Sequence, residues 1–148
     1  MRASTRTVTE QVRLIVDSNI LIRCSIGRAM RYVDALLLQG VVLTTTDRNA
    51  DELFQKLAGT FGVPVEEATQ EAVRVLDSFE LVDDLAYGSA RLQAERRLRK
   101  GGESDWPALA AALSLDCAIW SEDTDFFGTG VPVWSTANVL LCAADNKD

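Results

Sequence analysis

Short apolar segments that have the character of buried strands alternate along this chain with segments of helical periodicity. Residues 12–17 are almost continuously apolar, as expected of a strand that is covered on both faces of a parallel sheet. Residues 41–46 are rich in β-branched side chains and predict a second strand. Alternation of this kind predicts an α/β fold in which helices cover a central parallel sheet.

Breaker residues and periodicity locate the other elements. Helices are predicted after Ser18-Asn19, with an interruption near Gly27, and then over residues 47–57, 64–79, 87–98, 107–115 and 137–142. Further strands are predicted at residues 81–82, 117–121 and 131–134. We expect the 148 residues to form a single domain, with frayed ends at about residues 1–11 and 144–148.

Isolated acidic side chains occur where the predicted strands end or the following helices begin. Asp17 follows the first strand, Asp123 and Asp125 follow a late one, Glu52 lies in the helix after the second strand, and Asp105 precedes an apolar helix. The carboxyl ends of parallel strands share one edge of a sheet, so these acids should converge. Converging carboxylates raise one another's pKa unless a cation neutralises them. The pattern therefore predicts a site for a hard divalent metal with oxygen ligands.

The composition excludes several classes of enzyme. The chain has no histidine, which excludes serine–histidine and cysteine–histidine hydrolases and histidine-ligated zinc sites. Its cysteines are odd in number and form no CxxC pair, so a disulfide framework or zinc site is not expected, and a reducing cytoplasm is the expected location. No apolar run is long enough to span a bilayer, so no membrane association is expected.

Charge gives two opposing indications about nucleic acid. The formal net charge of −7 is unlike the basic footprint of most nucleic-acid-binding proteins. However, residues 91–100 concentrate five cations, and guanidinium groups suit phosphate backbones. These residues are predicted to bind nucleic acid, the alternative being an ordinary solvated helix face: Arg91, Arg96, Arg97, Arg99 and Lys100.

Each acid also has a simpler interpretation. A single aspartate at a strand end is most often a cap or turn residue, and Asp105 is placed to cap the helix that follows it. Asp51 is adjacent to Glu52, and the sequence leaves open which of the two faces the site. The metal-site interpretation rests on the whole set of acids rather than on one of them.

The acidic motifs together resemble those of the PIN-domain family, including VapC-type ribonucleases. Asp17-Ser18-Asn19 is similar to the first acidic motif of the family, and Glu52 in Asp51-Glu52-Leu53-Phe54 to the second acid. Asp105 in Ser104-Asp105-Trp106-Pro107 is similar to the third. The segment Ser121-Glu122-Asp123-Thr124-Asp125-Phe126 resembles the closing hydroxyl-x-Asp-x-Asp-Phe signature, with Ser in place of the commoner Thr. The resemblance extends from Leu14 to about Val139.

The resemblance implies a three-layer α/β/α sandwich and a Mg²⁺- or Mn²⁺-dependent endoribonuclease. Carried over, Asp17, Glu52, Asp105 and Asp123 are the catalytic and metal-binding acids, and Asp125 is a supporting metal ligand. Asn19 and Ser121 are expected to hydrogen-bond those ligands. The implied partners are single-stranded RNA, an antitoxin protein if the chain is a toxin of a toxin–antitoxin pair, and a second copy of the chain. A longer helical stretch between Pro64 and Leu98 than in the compact toxins leaves the toxin assignment open.

Three other interpretations compete with this one. A response-regulator receiver needs a lysine after a late strand, and the lysines at 56, 100 and 147 are misplaced for that. A haloacid-dehalogenase-type phosphatase needs Asp-x-Asp after its first strand, where this chain has Asp17-Ser18-Asn19. The third is an inactive PIN-like module that binds RNA or a protein without cleaving. The complete acid set argues against it, because a scaffold gains nothing from carboxylates that repel one another.

Overall fold

A computed structural model of the protein describes residues 11–144, in which short strands alternate with helices. The strands are β1 (Arg13–Val16), β2 (Val42–Thr46), β3 (Glu80–Val82), β4 (Ala118–Trp120) and β5 (Val133–Trp134). The α-helices are α1 (Ser18–Ile26), α2 (Met30–Leu38), α3 (Asp47–Gln55), α4 (Val65–Leu76), α5 (Asp84–Tyr87), α6 (Arg91–Arg97) and α7 (Trp106–Leu115). A π-helical turn spans Lys56–Thr60, and 3-10 turns span Gly88–Ala90, Glu103–Asp105, Thr124–Phe126 and Val139–Leu141.

The strands form one parallel sheet in the order β3-β2-β1-β4-β5. β1 lies at the centre and pairs with β2 on one side and β4 on the other. Strands β2 and β3 therefore lie on one side of β1, and β4 and β5 lie on the other. The direction in which strands are added reverses between β1 and β4, which makes this boundary the switch point of the sheet. Ligands of open α/β sheets bind beside such a point, at the carboxyl ends of the strands.

Apolar side chains cover both faces of the sheet, which confirms the predicted three-layer α/β/α fold. Leu14 and Val16 of β1 belong to the core beneath α1–α4, whereas Ile15 between them belongs to the core beneath α5–α7. All three side chains are fully buried. Successive strand residues point to opposite faces, so a central strand between two helical layers must be apolar throughout.

Local signals set the helix ends that lie near the sheet edge. Asp17 caps α1, since its carboxylate accepts a hydrogen bond from the backbone N–H of Ser18 at 2.9 Å. Thr46 caps α3, because its hydroxyl accepts from the backbone N–H of Asn49 at 2.9 Å. Gly27 ends α1, where a Cβ would approach the carbonyl oxygen of Arg23 to 2.9 Å. The interruption predicted near Gly27 is confirmed.

Two predicted helices differ from the structure. The single helix predicted over residues 87–98 is divided into α5, a 3-10 turn and α6. Tyr87 is fully buried, and its hydroxyl donates to the carboxylate of Asp47, which fixes the end of α5 against a distant helix. The helix predicted over residues 137–142 is only the 3-10 turn Val139–Leu141. Of the predicted frayed ends, residues 1–10 and 145–148 lie outside the described residues.

Among residues 11–144, none of the helices has the length and apolar character needed to cross a bilayer.

Replacing Thr46 with alanine tests how α3 is anchored to the sheet edge. The substitution removes the cap of α3, and the hydroxyl also donates to Oδ1 of Asn49 at 2.7 Å. We expect a loss of about 1–2 kcal/mol in the free energy of unfolding, measured by urea denaturation. Thr69→Ala, at an exposed threonine within α4, is the control and should cost less. Equal losses in both variants would contradict the capping role.

Candidate metal centre

Asp17 is a buried carboxylate at the carboxyl end of the central strand. Asp17 is only 5% exposed to solvent, and both of its carboxylate oxygens accept hydrogen bonds. Oδ1 accepts from the Ser18 backbone N–H at 2.9 Å and from Nδ2 of Asn49 at 3.4 Å. Oδ2 accepts from the hydroxyl of Ser121 at 2.8 Å. The carboxylate is therefore oriented by groups that follow β1, β2 and β4.

The Ser121 hydroxyl connects Asp17 to the segment after β4. It donates to Asp17 and accepts from the backbone N–H of Asp123 at 2.9 Å and from Nδ2 of Asn19 at 3.3 Å. A hydroxyl has one donor and two acceptor sites, so these three bonds use its full capacity. Asn19 and Ser121, both predicted to hydrogen-bond the acids, lie together at the switch point.

Glu52 reaches the same edge from helix α3. The hydroxyl of Ser18 donates to its Oε1 at 2.8 Å, and its charge acts on Asp17. Glu52 also lines a cavity that contains Asp105 and Asn49. Asn49 and Glu52 are three residues apart and so lie on one face of the helix. The structure therefore places Glu52, of the two adjacent acids, beside Asp17.

Asp105, Asp123 and Asp125 form a compact carboxylate cluster. One carboxylate oxygen from each lies within 4.8 Å of the others, and all three side chains are partly buried. Asp123 accepts the backbone N–H of Asp125 at 2.9 Å, which caps the 3-10 turn after it. Asp105 precedes α7 but makes no side-chain capping bond to that helix, so its carboxyl is directed to the cluster instead.

Two neighbours constrain Asp125. Arg99 forms an ion pair with its carboxylate. On another side, a Cβ at Gly102 would lie 3.0 Å from Oδ2 of Asp125, so only glycine leaves that carboxylate its present position. Arg99 is therefore a cationic neighbour of the cluster and offsets part of its negative charge.

Burial raises the pKa of two of the acids, Asp17 and Asp105, and neighbouring carboxyl groups raise it further. Burial raises the pKa of Asp17 to about 6, with smaller increases from the charges of Glu52 and Asp123, while the bonds from Ser121 and Ser18 act in the opposite direction. The pKa of Asp105 is raised to about 8, first by burial and then by a hydrogen bond with Asp125 and the charge of Asp123. The folded protein thus retains protons on this edge at pH values where free carboxyl groups have lost them.

The donor set fits a hard divalent cation. It consists of carboxylate oxygens at the spacing that one ion bridges, which is the chemistry that Mg²⁺ and Mn²⁺ select. Oδ1 of Asn19 adds a second observation, because this buried oxygen has no hydrogen-bond partner within residues 11–144. A buried acceptor without a donor is costly, and a cation or a water molecule held by one would satisfy it.

The predicted basic residues have separate positions. Arg99 pairs with Asp125, and Arg97 donates to the carbonyl oxygen of Thr129 at 2.9 Å, which ties α6 to the loop before β5. Arg91 pairs with Glu95 at 3.0 Å and lies over the ring of Trp106. Arg96 and Lys100 are exposed.

Sequence reasoning missed three contributors to this edge: Ser18, Asn49 and Gly102. In the sequence Ser18 is only the middle residue of the first acidic motif, although its hydroxyl orients Glu52 in the structure. The position of Asn49, one helical turn before Glu52, was a signal that could have identified it. Gly102 has no such signal, since its role depends on contact with Asp125, which lies far along the chain.

Comparison with known proteins gives one match in sequence and several in structure. A PIN-domain family model matches residues 15–143. Among curated protein sequences, none matches this chain significantly.

Several solved structures match this chain at low sequence identity. VapBC2 of Rickettsia felis, bound to a promoter DNA fragment, superposes with a TM-score of 0.63 at 15% identity, over 84% of this chain and 98% of that one. PAE2754 of Pyrobaculum aerophilum superposes with a TM-score of 0.63 at 17% identity, over 90% of each chain. A toxin–antitoxin complex of Klebsiella pneumoniae superposes with a TM-score of 0.62 at 20% identity, over 83% of this chain and 97% of that one. At such identities these matches show a shared fold.

The raised pKa values predict how the stability of the metal-free protein depends on pH. The folded protein holds protons on Asp17 and Asp105 that the unfolded chain releases near pH 3.8. The contribution of these two groups to the free energy of unfolding is therefore greatest below that pH. It is lost as the pH rises through about 6 for Asp17 and about 8 for Asp105. Thermal melts in EDTA between pH 5 and 8 should show a falling Tm.

Two substitutions distinguish the effect of the acidic cluster on the pH dependence of Tm from the effect of other titrating groups. Asp105→Asn should flatten the decline in Tm, whereas Asp51→Asn, at the exposed neighbour of Glu52, should leave it unchanged. Glu71, whose pKa is lowered to about 2, affects stability mainly below this window. A decline of equal slope in Asp105→Asn and wild type would contradict the assignment.

Gly102→Ala tests whether the position of Asp125 matters for cation binding. The new methyl group would meet the Asp125 carboxylate, while the backbone of residue 102 is compatible with alanine. We expect a smaller rise in Tm on addition of Mn²⁺ than in wild type, measured by thermal melts. Gly59→Ala, where a Cβ meets open space, is the matched control and should respond like wild type. A full Mn²⁺ response in Gly102→Ala would exclude Asp125 as a constrained ligand.

Proposed function

Because the chain belongs to the PIN-domain family, we propose that it is an endoribonuclease that hydrolyses RNA phosphodiester bonds with Mg²⁺ or Mn²⁺. One observation carries this proposal: acids from four separate segments converge at the switch point of the sheet, where burial and the neighbouring acids raise the pKa of Asp17 and Asp105. A site built only to stabilise the fold would not bring mutually repelling carboxylates together.

The proposed ligands are Asp17, Asp105 and Asp123, with Glu52 and Asp125 completing the acidic set. A bound Mg²⁺ or Mn²⁺ supplies two functions here, lowering the pKa of a water molecule and stabilising charge on the attacked phosphate. The chain has no histidine to act as a general base, so the carboxylates of the centre are the proposed proton acceptors.

The surrounding residues fix the orientation of these carboxylates. Ser121 holds Asp17 and the backbone of Asp123 in one network, so the ligands that follow β1 and β4 keep a constant separation. Ser18 holds Glu52 towards Asp17, and in this position Glu52 is suited to orient a water molecule by a hydrogen bond. Partners of this kind commonly account for 10–100-fold in metal affinity or activity.

RNA is the proposed substrate, with single-stranded RNA preferred. The cations of residues 91–100 lie next to the acidic centre, as the ion pair of Arg99 with Asp125 indicates. In an acidic protein they offer a local attraction for a phosphate backbone. We include Arg91, Arg96, Arg97, Arg99 and Lys100 in this surface, although Arg97 also anchors the loop at Thr129.

We further propose that the chain is the toxin of a toxin–antitoxin pair and works in the cytoplasm. Support comes from a structural neighbour that is a toxin–antitoxin complex, that of Klebsiella pneumoniae. The partner would then be an antitoxin protein, and a homodimer is the proposed oligomeric state. A catalytically inactive RNA-binding module is the second candidate, favoured by Arg99, which already places a cation against one proposed ligand.

Cleavage of RNA by matched variants tests the proposal. Purified wild type should cut a fluorescent single-stranded RNA in Mg²⁺ or Mn²⁺ and not in EDTA. Asp17→Asn should abolish cleavage, because it removes a ligand charge with little change in volume. Ser121→Ala should reduce the rate by about 10–100-fold, since it releases Asp17 from its fixed orientation.

Adjacent acids provide the control for the second motif. Glu52→Gln should slow cleavage strongly, because Glu52 is held by Ser18 beside Asp17, while Asp51→Asn, one residue away on the same helix, should cut like wild type. RNA that is bound but not cut in any divalent metal would establish the inactive-module alternative. Cleavage by Asp17→Asn at the wild-type rate would refute the assigned centre.

A further inference from the structure

Two arginines from different helices lie over one buried tryptophan beside the acidic centre. The guanidinium carbon of Arg48, in α3, is 5.2 Å from the centre of the Trp106 ring, and that of Arg91, in α6, is 4.5 Å from it. Trp106 itself is only 6% exposed, and the ring of Tyr87 packs against it at 5.7 Å. A rigid aromatic platform thus holds two cations that are otherwise far apart in the chain.

These cations border the same cavity as the acids. The cavity has a volume of about 410 Å³, and its lining includes Arg48, Arg91 and Trp106 together with Glu52 and Asp105. One part of its wall is therefore cationic and another part belongs to the proposed metal centre. A ligand that fills the cavity would contact both the cationic part of the wall and the acids of the proposed metal centre.

The position of the two arginines over the ring leaves them suited to bind an anion. A guanidinium is attracted to the face of an aromatic ring and has five N–H donors, more than its contact with the ring occupies. Both side chains are about half exposed, at 49% and 51%. Their ion pairs, Arg48 with Asp84 at 3.6 Å and Arg91 with Glu95 at 3.0 Å, are of the exposed kind that contributes little free energy. A phosphate can compete with such partners.

We propose that Arg48 and Arg91 form a subsite for one backbone phosphate of the RNA, next to the phosphate attacked at the acidic centre. This inference rests on the proposed ribonuclease function. The acids repel any phosphate that is not neutralised by a cation, so an uncleaved neighbouring phosphate needs an attractive contact at the cavity's other wall. A neighbouring phosphate held in a fixed position determines which phosphodiester bond of the RNA lies over Asp105. Arg48 and Arg91 are therefore positioning residues.

The variant that tests the subsite must keep the packing on Trp106. Arg48→Met with Arg91→Met removes both charges while an apolar side chain still covers the ring. The matched control is Arg28→Met with Arg31→Met, which removes two charges from the region of α2, where Arg31 lies over Tyr32 at 5.0 Å. Helix α2 packs in the core on the opposite face of the sheet from α6 and α7.

The first measurement is RNA binding without cleavage. Fluorescence anisotropy of a labelled single-stranded RNA in EDTA at low salt should show a Kd about tenfold higher for the double variant than for wild type and the control. The slope of log affinity against log salt should fall by about 0.7, the value for one phosphate contact on a single strand. A second phosphate would double that change.

The second measurement separates positioning from catalysis. In Mn²⁺, loss of a contact to a neighbouring phosphate should raise KM with little change in kcat, because the contact exists equally before and during the reaction. Thermal melts check that the variant is folded. If the double variant does not fold, the single variant Arg91→Gln tests the subsite by the same measurements of Kd, salt slope, KM and kcat. Arg31→Gln is then its control.

Each result bears on either the subsite or the ribonuclease proposal. Wild-type values of Kd, salt slope and KM in the folded variant would overturn the subsite while cleavage by wild type sustains the ribonuclease. Weakened binding by the variant, with no cleavage by wild type in any divalent metal, would sustain the subsite and overturn the ribonuclease. A wild type that binds no RNA at low salt, either in EDTA or in a divalent metal, would overturn the subsite outright.

Discussion

The hydrogen bond from Ser121 to Asp17 is the contact on which this site depends. It joins the ends of β1 and β4, the strands between which the direction of the sheet reverses, and it holds a carboxylate that is almost completely buried. The same hydroxyl accepts from the backbone of Asp123 and the amide of Asn19, so one side chain sets three distances at once. A site on the ends of rigid, parallel strands has little freedom to misalign.

Stability and chemistry oppose each other at this edge. Burial raises the pKa of Asp17, and burial with neighbouring acids raises that of Asp105, so the ionised cluster is destabilising in the metal-free protein. Arg99 offsets part of this charge at Asp125, and the half-exposed arginines at Trp106 supply more positive charge nearby. A divalent cation that binds only the folded chain would convert the remaining repulsion into binding free energy. In the proposed function, this coupling would allow an acidic protein to attract phosphate.

Several features of the fold and site followed from local sequence patterns. A central strand must be apolar on both faces, and this requirement identified β1 and its parallel partners. Parallel strands place their carboxyl ends together, so acids after β1 and β4 were expected to meet, and Asp17 and Asp123 do lie in one hydrogen-bonded network. The predicted helix over residues 87–98 was wrong because its division depends on Tyr87, whose hydroxyl bonds to a helix 40 residues earlier. Local periodicity contains no information about such a contact.

The sequence by itself determined the layer architecture, the positions of the acids at strand ends and the absence of histidine chemistry, because these follow from composition and short-range order. Only the tertiary structure decided that Glu52 rather than Asp51 meets Ser18, that Arg99 pairs with Asp125, and that Arg48 and Arg91 share Trp106. These partners are tens of residues apart in the chain, and neither their spacing nor their type specifies which helix faces turn towards one another. The packing of helices across the sheet makes that choice, since it selects the face each helix buries.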